Sequence, residues 1–486
     1  MISIIVTLIK YMLILLMIIY TSQCFSVFSK KKEKTRRRVL RRQIALILLL
    51  VTMAFAAMFL QTMEQKMLIL YGVIVAYIIV VQILYRLIYR KASILLLNNM
   101  CMLISIGLII LTRLNIGLAT KQMALVIAAT VMSMFVPVIV RKVKLLRDLT
   151  WVYAIGGILL LMFVLVLASV SGGAKLSVSL TQGGPTFQFS EFVKITYVFC
   201  LAGFFRKTNL SFRDIVTATG VAAAHVLILA VSKDLGTALV FFAAYVVLIY
   251  VATKKVRYPL AALAGGSLAA VGSYFVMAHV RVRVQAWKDP FADYQNGGYQ
   301  IAQGLFAICA GGWFGTGLFE GSPDTIPVAT QDFIFSAICE ELGGIFAICL
   351  ILVCMSCFLM IVNISLRLSK RFYKLIALGL GAEYAFQVFL TIGGNIKFIP
   401  MTGITLPLVS YGGSSIICSI MMFAIIQGLY IIREDEQEVE EQRQAAEKEA
   451  AYQEQLKQYN RGKNNYVKET TLEQKIEEET KKSLNW

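Results

Sequence analysis

The chain has 486 residues, of which 58% are hydrophobic and 15% are charged, and its formal net charge is +19. Soluble domains are nearer half apolar and a quarter charged, so this composition excludes an ordinary soluble protein. The hydrophobic residues fall in blocks of about 17–22 residues, the length that a helix needs to cross a bilayer core. The blocks lack the alternation of a membrane β-barrel. We therefore expect an all-α, polytopic transmembrane helical bundle.

The apolar blocks predict about thirteen spans. They lie near residues 3–23, 43–61, 67–86, 93–112, 121–140, 150–170, 191–205, 214–231, 235–252, 258–279, 333–364, 373–393 and 411–432. The first block is too long for a signal peptide, lacks a small-residue cleavage site and precedes the basic cluster instead of following it. We therefore interpret it as an uncleaved span.

Lysine and arginine concentrate in alternate loops. The loops near 30–42, 86–91, 141–147, 206–213, 254–257 and 367–374 contain 26 of them, whereas the opposite loops contain nine. Cytoplasmic loops carry the excess of positive charge, so we expect the N-terminus outside and the C-terminus in the cytoplasm. The same distribution accounts for the net charge without a nucleic-acid partner, which we do not expect.

The nine cysteines lie mostly inside apolar blocks, and the chain has only two histidines. No pair of cysteines has metal-ligand spacing together with partners, so we expect neither a metal site nor disulfides. The sequence requires no cofactor, and it leaves a role for a divalent cation open. Residues 433–459 are rich in Glu, Gln, Lys and Ala and predict a solvated helix or short coiled coil, whereas 460–486 resemble a disordered tail.

Three outer loops are long enough to carry function: 171–190, 280–331 and 394–410. Asp332 lies where the second of these meets the eleventh span. A carboxylate at a membrane mouth can accept a proton from a hydroxyl nucleophile, although it can also cap a helix. The segment 393–415 is broken by Gly and Pro and rich in hydroxyls, which suits either an anion-binding cavity or a structural turn.

Two further places hold ionisable groups at predicted spans, where such groups are costly. Glu191 and Lys194 are three residues apart and can pair on one helix face, either to lock two spans together or to contact substrate. Asp234 begins a span and can cap it or take part in function. The residues alone leave these alternatives open.

The segment near residue 400 closely resembles the signature of the SEDS family (shape, elongation, division and sporulation; the FtsW/RodA/SpoVE-type proteins). The matching motifs, in chain order, are Gln188-Phe189-Ser190-Glu191-x-x-Lys194; Asp234-Leu235-Gly236-Thr237-Ala238; Asp289-Pro290, Gly298-Tyr299-Gln300 and Gly315-x-Gly317; Asp332-Phe333-Ile334-Phe335 with Glu340-Glu341-Leu342-Gly343; and Pro400-x-Thr402-Gly403-x-x-Leu406-Pro407-x-x-Ser410-Tyr411-Gly412-Gly413-Ser414-Ser415. The likeness covers 93–432, ten spans. Each motif is weak alone, but five in order are specific.

The resemblance divides the chain into three parts. Residues 1–92 supply three additional N-terminal spans with a basic cytoplasmic loop, and 93–432 form the ten-span SEDS-like core with the large outer loop 280–331. Residues 433–486 form a charged cytoplasmic tail. The first and last parts lie outside the family core, and their position suggests partner docking.

The resemblance implies a peptidoglycan glycosyltransferase in the bacterial cytoplasmic membrane. Such proteins polymerise lipid II, an undecaprenyl-pyrophosphate-linked precursor, on the outer face and work with a class B penicillin-binding protein in elongation, division or sporulation. Asp332 matches the family's essential aspartate and would be the catalytic base. The implied substrate-binding candidates are Arg281, Arg283, Lys397 and Lys194 as cations, together with Glu191, Asp234, Gln300, Thr402, Ser410, Tyr411, Ser414 and Ser415.

The sequence departs from the family pattern at several positions. Thr330-Gln331 replaces His-Thr, Phe189 and Lys233 each replace a proline, and Gly173–Leu176 lacks the usual Arg and Trp. Two other hypotheses stay open. A flippase or other transporter of lipid-linked precursors predicts paired broken helices in two related halves, of which the sequence offers only one strong break. A non-catalytic scaffold predicts that Asp332 is dispensable.

Overall fold

The helices follow the apolar blocks. The computed structural model describes residues 2–30, 32–170, 177–179, 186–292, 294 and 297–483. The α-helices are α1 Ile2–Ser29, α2 Glu33–Thr62, α3 Gln65–Ile88, α4 Ile94–Leu114, α5 Ile116–Ser133, α6 Val136–Lys142, α7 Thr150–Val170, α8 Phe189–Phe204, α9 Phe212–Val231, α10 Leu235–Thr253, α11 Arg257–Val276, α12 Ala278–Lys288, α13 Tyr299–Gly311, α14 Ile334–Arg367, α15 Arg371–Asn395 and α16 Gly413–Ser483. Two three-residue strands, β1 Ser177–Ser179 and β2 Thr186–Gln188, pair antiparallel with Val178 opposite Phe187.

Within the described ranges, eleven helical segments are long and apolar enough to cross a membrane. They are α1–α4, α5 together with α6, α9–α11 and α14–α16. The helices α7 and α8 lie at the other two predicted spans but are not among the eleven, since the part of α7 counted as apolar is Thr150–Val166 and α8 has 16 residues. The chain is a multi-pass helical membrane protein, as predicted, and the number thirteen stays a prediction.

The fifth predicted span, 121–140, lies within the apolar segment Ile116–Lys142, which two helices share. The helix α5 ends at Ser133, and α6 begins at Val136 with Pro137 in its first turn. Proline donates no backbone hydrogen bond, and its ring clashes with the carbonyl four residues earlier, which here belongs to Ser133. The two helices therefore meet at a break.

The outer loop 280–331 is largely helical, because it contains most of α12 and all of α13. The span before it ends at Val276, earlier than the predicted 279, where Met277 takes an extended conformation. The loop 171–190 falls mostly outside the described residues, and so does the Gly173–Leu176 departure.

The predicted disorder after residue 460 is contradicted, since α16 continues to Ser483. Glu, Lys and Gln are strong helix formers, and pairs four residues apart such as Arg443–Glu447 support the helix. Residues 484–486 lie outside the described part of the chain. Met1–Ile432 form one compact unit and Arg433–Trp486 another.

The helix α4 lies at the centre of the first unit, and nearly all of its residues are buried. Its two asparagines bond the three N-terminal helices to it. Asn98 Nδ2 donates to Gln43 Oε1 of α2 at 2.9 Å, and Gln82 Nε2 of α3 donates to Asn98 Oδ1 at 2.8 Å. Asn99 accepts from Tyr20 of α1 at 2.9 Å. Polar side chains hold membrane helices together in this way.

We expect Asn99→Ala to lower the free energy of unfolding by about 1–3 kcal/mol, because Asn99 also donates to Ser356 Oγ of α14 at 3.1 Å and both partners would lose a buried hydrogen bond. Thermal unfolding of the purified protein in detergent measures the change. The control is Ser273→Ala, since the exposed hydrogen bond of this hydroxyl, to Ala270 O, is the one that the described residues offer it and stays within its own helix. Equal stability of Asn99→Ala and the wild type would contradict the prediction.

Candidate active site

An open cavity of about 260 Å³ lies where the outer loop 280–331 meets the segment between α15 and α16. Its charged and polar lining residues are Gln188, Lys233, Asp234, Arg283, Gln300, Asp332 and Thr402. The lining includes the N-cap residues of α8 and α10 and a residue just before α14. Residues at the N-termini of three helices therefore border one cavity, and the partial positive charge of a helix N-terminus favours an anion.

Asp332 lies half-buried two residues before α14. Its backbone carbonyl accepts a hydrogen bond from Asn395 Nδ2 at 2.7 Å, which ties the helix start to the end of α15. A Cβ added at Gly403 would lie 3.6 Å from Asp332 Oδ2 and 3.7 Å from Arg283 Nη2. A carboxylate and a guanidinium therefore flank the same glycine, which suits proton removal beside a developing negative charge.

Arg283 lies on α12 and reaches the broken segment directly. Its Nη1 donates to Thr402 O at 3.1 Å. Thr402 Oγ1 is buried and has no hydrogen-bond partner among the described residues. A buried hydroxyl of this kind is costly unless something bonds it, so Thr402 offers a free polar group to a molecule in the cavity.

Asp234 caps α10, one of the two roles that its sequence position suggested, and it also lines the cavity. Its Oδ1 accepts from the backbone N–H of Thr237 at 3.2 Å and caps α10. Its Oδ2 accepts from Gln188 Nε2 at 3.1 Å and from Ser190 Oγ at 3.4 Å, while the residue also lines the cavity. The carboxylate thus orients the neighbouring amide toward the same space.

Two of the polar and charged lining residues, Gln188 and Lys233, were not among the predicted site residues. Gln188 begins the motif that contains Glu191 and Lys194, and Lys233 directly precedes Asp234. These positions are the signal that could have found them. Lys233 has φ +63°, a strained value for a residue with a side chain. Burial lowers the pKa of His279, just after the α11 span, and the positive charges of Arg283 and Lys233 lower it further.

Four predicted binding residues do not line the cavity. Ser410 Oγ donates to Gln331 O at 2.6 Å and accepts from Leu406 N at 2.9 Å, and Tyr411 N donates to Thr330 O at 2.8 Å. Ser414 Oγ accepts from the backbone N–H of Gln188 at 3.1 Å, and Ser415 Oγ shares a bond with Thr405 Oγ1 at 2.8 Å. These groups hold the broken segment in place instead of facing the cavity.

Glu191 and Lys194 form the predicted ion pair, with 2.7 Å between Oε2 and Nζ, and both are buried. Lys194 also donates to Gln387 Oε1 at 2.8 Å, and Gln387 Nε2 donates to Thr405 O at 3.0 Å. The pair therefore supports the broken segment from behind and does not line the cavity. Of its two predicted roles, the structural one fits this geometry.

The other two predicted cations also lie outside the lining. Arg281 is exposed and two residues from Arg283, so the helix turns it to a different side. Lys397 has φ +59°, and its carbonyl accepts from Trp287 Nε1 at 3.1 Å. Its backbone anchors α12 to the broken segment. The cavity cations are therefore Arg283 and Lys233.

A second polar cluster fixes the rest of the outer loop. Arg113 Nε donates to the buried Glu341 at 2.5 Å, and Glu341 Oε1 also accepts from Phe319 N at 3.2 Å. The helix α14 bends just beyond this point at Gly343, which has φ +87°. Only glycine fits there, because a Cβ would lie 2.3 Å from Gly315 N. Lys10 of α1 donates to Gly315 O at 3.2 Å, so the N-terminal addition also contacts this loop.

A family model described as a cell cycle protein, FtsW/RodA/SpoVE, matches residues 85–434. The chain belongs to the FtsW/RodA/SpoVE family. The matched range contains every residue of the cavity lining. Residues 1–84, which hold the first two helices and most of the third, precede it. The predicted family is confirmed.

Curated relatives in this family are named for glycosyl transfer. The peptidoglycan glycosyltransferase RodA of Mycobacterium tuberculosis is 37% identical over 214 residues, covering 44% of this chain and 46% of that protein. The FtsW of Aliivibrio salmonicida, named a probable peptidoglycan glycosyltransferase, is 33% identical over 270 residues. The match covers 54% of this chain and 67% of that protein. The chain thus spans about half the length of the RodA relative.

Two solved structures share the fold. A chain from a peptidoglycan synthase complex, described for its structural coordination of polymerization and crosslinking, has a TM-score of 0.59 at 22% identity and covers 70% of this chain and 98% of that one. The crystal structure of Thermus thermophilus RodA has a TM-score of 0.52 at 21% identity. The match covers 70% of this chain and 97% of that one. The likeness confirms the predicted helical membrane bundle.

We expect Gly403→Ala to reduce the activity proposed for this protein by about tenfold or more, because the methyl group would occupy the space between Asp332 and Arg283, in contact with both side chains, and would exclude a bound molecule from it. The matched control is Gly312→Ala. Gly312 also has positive φ, +52°, but nothing lies within 4 Å of an added Cβ. Both substitutions strain the backbone by roughly 1–3 kcal/mol, since a positive φ is unfavourable for a residue with a side chain. Equal activity of the two variants would contradict a special role for Gly403.

Proposed function

We propose that this protein is a peptidoglycan glycosyltransferase that polymerises lipid II into glycan strands. The observation that carries the proposal is the cavity in which Asp332 and Arg283 flank Gly403 and which residues at the N-termini of α8, α10 and α14 line. Lipid II presents a sugar hydroxyl, an anomeric carbon and a pyrophosphate. The cavity offers a carboxylate for the first and positive charge for the last, and the names of the relatives agree with this chemistry.

In the proposed reaction, Asp332 takes the proton of the acceptor hydroxyl as general base. The hydroxyl oxygen forms a bond to the anomeric carbon of the donor, and the bond from that carbon to the lipid pyrophosphate breaks. Arg283 and Lys233 offset the charge that develops on the leaving group, and the helix N-termini add to this field. Gln300 and the unpaired hydroxyl of Thr402 hydrogen-bond the sugars.

The proposed partner is a class B penicillin-binding protein, which would crosslink the new strands. Support comes from the solved relative whose complex coordinates polymerization and crosslinking. The family also supports a role in cell elongation, division or sporulation.

The decisive variant is Asp332→Asn, which keeps the size of the side chain but removes the base. We expect polymerisation of lipid II by the purified protein with its partner to fall at least about 100-fold. The control is Asp324→Asn, which removes an exposed carboxylate from the same outer loop. If Asp332→Asn made as much polymer as the wild type, this residue would have no part in the mechanism, and a scaffold role would be favoured. If the wild type transported lipid II without making polymer, a flippase would be favoured.

The proposal also requires the cavity to open on the outer face. Eight of the nine cysteines are buried and Cys309 is exposed, so Cys309→Ser gives a background with little reactivity. In that background, we expect an impermeant maleimide to label Lys288→Cys on intact cells and Lys255→Cys only after lysis. Both native lysines are exposed, so a cysteine at either position is accessible to the reagent. Gly298 of the outer loop is unsuitable for this purpose, because a side chain there would meet Pro290 O at 2.0 Å. The reverse labelling pattern would exclude the orientation and the proposed reaction together.

A further inference from the structure

A second cavity, of about 600 Å³, lies between the start of α2, the end of α3 and the start of α4. Four arginines line it: Arg37 and Arg41 of α2, Arg86 of α3, and Arg90 just after α3. We call it the basic cavity. It shares no lining residue with the candidate active site, and Arg37 and Arg41 precede the range that matches the family.

The positive charge of the basic cavity is largely uncompensated. Within the described part of the chain, Arg37 is paired with Glu33 at 2.5 Å, and Arg41, Arg86 and Arg90 have no carboxylate partner. Residues 1–92 contain only one other acidic residue, Glu64. It lies between α2 and α3 at the opposite ends of both helices. The three arginines without a carboxylate partner place like charges around one cavity, so an anion among them is favoured.

The same cavity has an apolar floor. Leu40, Tyr85 and Leu97 line it and are buried, at 5%, 3% and 2% exposure. The start of α4 also lines it, which adds the positive end of a helix dipole. Next to the opening, Leu87 and Ile88 of α3 are exposed at 69% and 51%, as expected of side chains that face lipid.

We propose that the basic cavity binds the phosphate headgroup of an anionic phospholipid, whose acyl chains lie along α3. Basic pockets between transmembrane helices bind phospholipid headgroups of this kind. A soluble phosphate would satisfy the arginines but leave the apolar floor unused. With Arg37 paired to Glu33, three arginines carry net charge, which suits a headgroup with two phosphates such as that of cardiolipin. The bound lipid would join the N-terminal helices to the core at α4.

The test uses the full chain, purified in detergent, with cardiolipin, phosphatidylcholine and inorganic phosphate as separate probes. Native mass spectrometry counts bound lipid, and thermal unfolding measures its stabilising effect. We expect cardiolipin to bind and stabilise the wild type, with phosphatidylcholine and phosphate giving no comparable effect. In Arg86→Gln/Arg90→Gln, cardiolipin should bind about fivefold more weakly for each arginine removed, about 25-fold in all.

The matched control is Lys30→Gln/Lys34→Gln, which removes two exposed charges from the same basic segment outside the cavity. Near-normal cardiolipin binding in this control supports the proposal. An equal loss in both variants would mean diffuse surface electrostatics and overturn it. Equal stabilisation by inorganic phosphate would overturn it in favour of a soluble anion.

A second variant covers the case in which the glutamine variant fails to fold. Arg86→Lys/Arg90→Lys keeps both charges but loses the forked donors that bind phosphate with two bonds. We expect it to fold normally and to bind cardiolipin several-fold more weakly than the wild type. Unchanged cardiolipin binding in this folded variant would overturn the proposal.

Discussion

Backbone polar groups within a membrane bundle need partners, and the non-helical segment 396–412 finds many of its partners in side chains of distant helices. Thr391 of α15 donates to Ile404 O at 3.1 Å, and Gln122 of α5 donates to Ser410 O at 3.1 Å. Arg283 reaches Thr402 O from the outer loop. The position of Gly403 against Asp332, and hence the shape of the cavity, depends on these bonds.

This constraint explains why one motif holds both the cavity wall and its support. Thr402 and Gly403 face the cavity, whereas Ser410 uses its hydroxyl to bond Gln331 O and Leu406 N. Behind them, the Lys194 ion pair acts through Gln387 on the same segment. A loss of activity on mutating this motif would therefore not by itself identify a substrate contact, since movement of the segment would also displace the groups beside Asp332.

Local chemistry explains which features the sequence could predict. Hydropathy predicts the positions of the helices, because the thickness of the bilayer sets the length of a span. The break between α5 and α6 was also predictable, since Pro137 lies in the first turn of α6. Five of the site residues predicted from the sequence line the cavity: Asp332, Arg283, Asp234, Gln300 and Thr402. The roles of Ser410 and Lys194 depend on partners more than 70 residues away. Such contacts are set by packing, which a linear motif does not contain.

The burial of α4 has a consequence for assembly. In a bundle of ten spans, the first helix would offer a side to lipid or to another protein, but here α1, α2 and α3 cover it and bond Asn98 and Asn99. That side is occluded, so a neighbouring membrane protein would meet α1–α3 there in place of the core. The N-terminal addition thus changes the lateral surface that this protein presents to other membrane proteins.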